Sequence, residues 1–134
     1  MFRLQRRYVE DIIAHAREEA PNECCGILAG KDGTVVKLWR TTNAEHSPYR
    51  YSVDPKELLQ IYREIEANGW ELTGIYHSHT HTEAYPSPTD VRLAAWPDAV
   101  YFLVSLKDPE RPDFHGYHIR DGQVTEVPLE IVEE

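Results

Sequence analysis

GIYHSHTHTEAYPSPTD, residues 74–90, sets His77, His79 and His81 at alternate positions and follows them with a polar, proline-bearing run ending at Asp90. Alternate side chains of a β-strand share a face, so the histidines point one way while Tyr76 and Ser78 point the other. Cα atoms two apart in a strand lie roughly 6.5 to 7 Å from each other, which lets two imidazoles converge on one ion at about 2.0 to 2.1 Å. The plainer alternative is a histidine pair that is solvated or hydrogen-bonded on a sheet face.

A catalytic zinc usually takes three protein ligands and leaves a fourth position for water. His81, Glu83 and Asp90 are the candidates for the third ligand. If the strand ends at His79, His81 leaves the shared face, and the turn through TEAYPSP brings the next helix start back toward the histidines. Asp90 is then the better placed. Ser87-Pro88-Thr89-Asp90 also reads locally as a capping box, with Ser87 as N-cap, Pro88 at N1 and Asp90 at N3. The two roles are compatible, because a helix start is rigid and aims its first-turn side chains. Zinc hydrolysis further needs a carboxylate that takes the proton of the attacking water, for which Glu23, Glu45, Glu71 and Glu83 are candidates near strand ends.

Working outward, Val9, Ile12, Ile13 and Ala16 fall at helical spacing, so residues 5–19 read as an amphipathic helix ended by Pro21. CCGILAG, a turn at Lys31-Asp32-Gly33, and VVKLWR read as a hairpin. A loop over residues 41–50 leads to a short strand YSV. Asp54, Pro55 and Glu57 then open a second helix that ends near Gly69. LTGIYHSH is a strand, Pro88 to Ala95 a short third helix, and YFLVSLK a buried strand. FHGYHIR, a turn at Asp121-Gly122, and VTEVPLEIV form a closing hairpin. Such mixed alternation predicts one α/β domain over residues 1–134, a mixed sheet flanked by helices.

Composition excludes several classes. The 134 residues are 41% apolar and 28% charged, with no apolar run of membrane-spanning length. The N-terminal MFRLQRRYVEDII lacks the apolar core of a signal peptide. Cys24 and Cys25 are adjacent and poorly disposed to pair, so a reducing cytoplasm is expected. A net charge of −9 repels phosphate backbones, which makes nucleic acid a poor partner.

Together these residues resemble the JAMM, or MPN-plus (Mov34/PAD-1), zinc metalloproteases. That signature is a glutamate in an early strand, then H-x-H, seven residues, Ser, two residues and Asp. Glu23, His77-Ser78-His79, Ser87 and Asp90 meet it at the required spacing. The HxH-to-Asp part arises by chance on the order of once in a thousand chains of this composition. The resemblance implies a partly curled mixed sheet of JAMM/MPN-like (cytidine-deaminase-like) architecture. It implies one zinc held by His77, His79 and Asp90, Glu23 as proton carrier, and Ser87 as hydrogen-bond donor to the oxyanion. Where many members have proline after the second histidine, this chain has Thr80 and then His81, which alters the expected path of the loop.

The resemblance also implies a substrate class. Similar enzymes cut peptide or isopeptide bonds after the C-terminal Gly-Gly of ubiquitin-like proteins, and such a tail can bind along an exposed edge, here Thr41 to Val53. Short prokaryotic members act on ubiquitin-like sulfur-carrier proteins, which makes release of cysteine from the carrier the expected reaction. Isopeptide deconjugation, a non-catalytic MPN scaffold, and a phosphoesterase that begins with HxH are the competing readings. Scaffold members usually lack a ligand, and phosphoesterases commonly need more His and Asp ligands over a longer chain.

Overall fold

The computed structural model describes residues 1–133. A six-stranded mixed sheet runs in the order β3-β2-β4-β5-β6-β7, formed by β2 (Cys25–Lys31), β3 (Thr34–Thr41), β4 (Glu71–His79), β5 (Val100–Ser105), β6 (Asp113–Arg120) and β7 (Gln123–Val127). The pairings are antiparallel except for β4 with β5. Helices α1 (Arg6–Glu19), α2 (Pro55–Ala67) and α3 (Pro88–Leu93) flank it. Among the described residues no helix is long and apolar enough to cross a membrane.

The alternation of β4 sorts the core. Tyr76 packs with Phe102, Val104 and the α1 residues Tyr8, Ile12 and Ala16. On the other face Ile75 packs with Tyr101 and Leu103, and Ile27 packs with Ile61 and Ile65 of α2. Each fully buried aliphatic side chain, such as Ile12 or Leu103, contributes about 1.5–3 kcal/mol. The period of two that buries Ile75 thus carries His77 and His79 onto the α2 side. Both hairpin turns have positive φ at their two central residues, Asp32-Gly33 and Asp121-Gly122, as two-residue hairpins require.

Several boundaries depart from expectation. Residues 2–5 form a strand, β1 (Phe2–Gln5), before α1 begins. The closing hairpin is broken at Pro128, which cannot donate to a ladder. The last strand, β8 (Leu129–Val132), turns away from the large sheet and pairs parallel with β1. Gln5 Nε2 then donates to the Val35 carbonyl at 3.0 Å, fastening this pair to β3 and curling the fold. The expected strand YSV is a single bridge between Asn43 and Val53, because Asn43 Oδ1 takes the Ser52 N–H instead of a ladder partner. Helix α3 stops at Leu93 rather than Ala95, since Tyr101 Oη accepts the N–H groups of Ala95 and Trp96. Asp54 caps α2, but Glu57 does not reach back to it. Its carboxylate accepts from Thr42 N and Oγ1 instead, tying the helix start to the end of β3.

Candidate metal centre

β4 ends at His79, and the chain then leaves the sheet. His77 and His79 are buried, and His79 Nδ1 donates to the Glu83 carbonyl at 2.9 Å. The loop returns to Ser87, whose Oγ accepts from Asp90 N at 3.0 Å while Ser87 N donates to Asp90 Oδ2 at 2.9 Å, a complete capping box. That box fixes the Asp90 carboxylate, and Oδ2 lies 3.0 Å from His77 Nε2 and 3.1 Å from His79 Nε2. Donors around a tetrahedral zinc with bonds of about 2.0–2.1 Å stand roughly 3.3 Å apart, close to these two separations.

Glu23 joins the cluster from the segment just before β2. Register brings it there, because Cys25 pairs with His77. Ligand-type atoms of Glu23, His77 and His79 all lie within 4.8 Å of one another. Glu23 is 3% exposed, and its Oε1 is buried without a hydrogen-bond partner, as is His77 Nδ1.

The donor set fits a divalent cation. With its Nδ1 proton given to a carbonyl, neutral His79 turns the Nε2 lone pair toward the Asp90 oxygen, an acceptor facing an acceptor. A proton or a metal ion between them removes the repulsion. In the metal-free protein, burial works against the charge on His79, but the hydrogen bonds to Asp90 and Glu83 outweigh it and raise its pKa. Burial dominates at His77 and lowers its pKa. Burial also opposes the charge on Asp90, yet the two histidines hold its carboxyl well below the usual carboxylate range. Glu23 is pushed up to about 8, chiefly by burial and further by Asp90, with His79 acting against. A buried carboxyl poised near neutral pH is suited to exchanging protons.

The other sequence candidates fall outside. His81 is exposed, its ring set edge-on to Tyr49. Glu83 contributes its backbone carbonyl, and its side chain is exposed. Glu45 is exposed and 3.6 Å from Arg50 Nε, and Glu71 sits at the opposite end of β4. Cys24 and Cys25 are free and buried, their thiols pushed up to about 12 and about 11 by burial, which makes them packing residues.

Two contributors had no signal in the chemistry-bearing motif. Tyr51 stacks on His77 with ring centroids 4.2 Å apart. Asn43 donates to the carbonyls of Glu23 and Arg50 and accepts from Glu45 N and Ser52 N, holding the loop 41–53 against the Glu23 segment. An asparagine directly after a strand is a turn signal, and only the fold reveals what its turn supports. Beside Asp90 opens a cleft of about 300 Å3 lined by Tyr51, Val53, Leu58, Leu93 and Trp96 among others.

Comparison with known proteins identifies the family. Residues 5–116 match the family model described as prokaryotic homologs of the JAB domain. A Mycobacterium tuberculosis protein named CysO-cysteine peptidase is 48% identical over 128 residues, covering 94% of this chain and 88% of that protein. A Haloferax volcanii desampylase is 39% identical, covering 72% of this chain and 74% of its own length. The solution structure of a Desulfitobacterium hafniense protein superposes with a TM-score of 0.89 at 37% identity, covering 100% of this chain and 94% of that one. A JAB1/MPN domain protein from Archaeoglobus fulgidus, at 19% identity and a TM-score of 0.66 over 99% of this chain and 98% of that one, shares the fold. The chain belongs to the prokaryotic JAB-domain family.

Proposed function

We propose that this protein is a single-domain zinc peptidase that hydrolyses the bond after the C-terminal Gly-Gly of a ubiquitin-like sulfur-carrier protein, releasing cysteine, in the cytoplasm. The observation that carries the reading is the meeting of His77, His79 and Asp90 Oδ2 within 3.1 Å contacts, with the unpartnered carboxyl of Glu23 alongside. His77, His79 and Asp90 hold the metal. Bound zinc supplies a Lewis acid that makes water acidic near neutral pH and polarises the scissile carbonyl.

The chain's own groups do the rest. Glu23 accepts the proton of the attacking water as its oxygen bonds to the glycine carbonyl carbon. It then delivers that proton to the departing amine as the C–N bond breaks. Ser87 Oγ already accepts from Asp90 N, so its hydroxyl proton is free to donate to the carbonyl oxygen as negative charge develops there. Tyr51, stacked on His77, shields that ring from water. The cleft beside Asp90 is largely apolar and is where an extended glycine tail would lie.

Cleavage of lysine isopeptide conjugates is the second reading, favoured by the likeness to a protein named desampylase. The greater identity to a protein named CysO-cysteine peptidase, over more of the chain, supports cysteine release first. The deciding experiment pairs metal analysis with turnover of a carrier ending Gly-Gly-Cys and of a lysine conjugate. Wild type and Glu23→Gln should each bind about one zinc, and only wild type should turn over the Gly-Gly-Cys carrier. Hydrolysis of the conjugate alone selects the second reading, and absence of zinc defeats both.

A further inference from the structure

Tyr51 belongs to a loop without periodic structure, yet both its neighbours are fastened to one side chain. Asn43 Nδ2 donates to the Arg50 carbonyl at 3.1 Å, and Asn43 Oδ1 accepts from Ser52 N at 3.1 Å. Ala44 N donates to the Ser52 carbonyl at 2.8 Å, and Asn43 forms a bridge with Val53. One face of the Tyr51 ring then lies on His77, with centroids 4.2 Å apart and planes 20° apart. His77 is itself only 1% exposed, so the ring has a packed imidazole behind it and a clamped backbone beside it. Retreat of the ring would disturb both.

The ring also borders the path of the substrate. Tyr51 and Asp90 both line the cleft of about 300 Å3, and both touch His77, the carboxylate at 3.0 Å from Nε2. They therefore mark the part of the cleft that meets the proposed metal ligands. Ile27, Ile75 and Tyr101, buried residues of the sheet, line it as well. In peptide hydrolysis the Cα of the residue that supplies the scissile carbonyl is one bond, about 1.5 Å, from the carbon under attack. A tail that lies in this cleft and brings that carbon to His77 and Asp90 carries its last Cα past the Tyr51 ring.

We propose that Tyr51 is the specificity-determining residue for glycine at the last position of the tail, its ring packing against that residue's Cα and leaving no space for a Cβ. This rests on the peptidase reading above and assigns its glycine requirement to one side chain. Close approach of a backbone to a wall is open to glycine because it has no Cβ. A larger residue must displace either the ring or the tail, and the ring is backed by His77, so the tail shifts away from the reacting groups. Tyr51 touches the substrate beside the scissile bond and exchanges no proton with it. The ring, rather than its hydroxyl, makes the contact.

The test uses carriers ending Gly-Gly and Gly-Ala. Each is offered as its cysteine adduct for turnover by zinc-loaded enzyme, and with its free terminus for calorimetric binding to chelator-treated enzyme. Wild type, Tyr51→Phe, Tyr51→Ala and Tyr51→Val are compared. Wild type should favour Gly-Gly by at least about tenfold in both kcat/KM and Kd. Tyr51→Phe keeps the ring and should keep the preference. Tyr51→Ala should bring it toward unity, slowing the Gly-Gly adduct while raising turnover and affinity for Gly-Ala above those of wild type, a gain that a merely damaged fold does not give. Tyr51→Val should fall between, and it reads the same ratio if the alanine variant fails to fold. Equal treatment of the two tails by wild type, loss of the preference in Tyr51→Phe, or small-residue variants that weaken both tails by one factor, overturns the assignment to the ring and leaves the peptidase standing. Absence of Gly-Gly-Cys hydrolysis by wild type overturns the peptidase reading and this assignment with it.

Discussion

Ser87 and Asp90 bond to each other twice, Oγ accepting from the Asp90 N–H and Oδ2 accepting from the Ser87 N–H. One residue pair thereby starts α3 and aims the carboxylate that faces both histidines. Loss of the cap alone costs about 1 kcal/mol, whereas loss of an oxyanion donor costs about a hundredfold or more in rate. Ser87→Ala should show both effects. Ser87→Asp keeps a capping oxygen and removes the donor, so denaturation should find its stability largely restored while kcat stays low. Recovery of kcat together with stability would reduce Ser87 to a cap.

Glu23 gives a pH signature in the metal-free protein. An exposed glutamate in the unfolded chain ionises near 4.5, whereas burial holds the folded carboxyl neutral up to about 8. Between those values the unfolded state has lost a proton that the folded state keeps, so this group lowers stability as pH rises from about 4.5 to 8 and no further. Glutamine at this position does not ionise. Chelator-treated Glu23→Gln should therefore gain on wild type across that window, by about 2 kcal/mol or more at pH 8 and little at pH 5. Urea denaturation of both at the two pH values measures it, and a gap independent of pH would contradict the burial of this carboxyl.

The sequence was most informative where chemistry and periodicity coincide. His77 and His79 sit on one face of a strand whose alternation also buries Ile75 and Tyr76, and Asp90 follows at a helix start with its own capping pattern. Glu23 was one of four candidate carboxylates and was singled out only through resemblance, since its place depends on the β2–β4 register, a long-range pairing that no local pattern encodes. Asn43 and Tyr51 lie in a loop without periodicity, so neither their contacts nor the loss of the expected YSV strand could be read locally. The departure of β8 toward β1 hangs on Pro128, which marks a break without saying where the next strand goes.

Gly26 is a packing requirement of the same sheet. A Cβ there would overlap the ring of Tyr76 and stand 2.5 Å from the Trp39 carbonyl oxygen. Tyr76 cannot swing aside cheaply, because its hydroxyl bonds to His15 Nδ1 at 2.7 Å in the buried layer beneath α1. Gly26→Ala should destabilise the fold by about 1–3 kcal/mol, the usual cost of overpacking, or somewhat more. Tyr76→Phe, which leaves the ring and strands one buried histidine nitrogen, should cost about 1–3 kcal/mol without moving the backbone. Thermal denaturation ranks them against wild type, and a neutral Gly26→Ala would refute the tight approach of ring to strand.

Asn43 separates placement of the proposed proton carrier, Glu23, from assembly of the proposed metal ligands. Its amide donates to the Glu23 and Arg50 carbonyls at 3.0 and 3.1 Å, and its oxygen accepts from Glu45 N and Ser52 N. His77, His79 and Asp90 depend instead on β4 and α3. Asn43→Ala should therefore retain about one zinc per chain while releasing both the loop 41–53 and the segment that carries Glu23. A misplacement of about 1 Å in a reacting group costs on the order of a hundredfold, so kcat should fall at least about tenfold. Stability should fall by about 2 kcal/mol, given four lost hydrogen bonds at a partly solvated site. Metal analysis, denaturation and kcat on the Gly-Gly-Cys carrier read the three quantities separately. Lower stability with kcat intact would confine Asn43 to holding the loop, and loss of zinc would mean that the ligands depend on it as well.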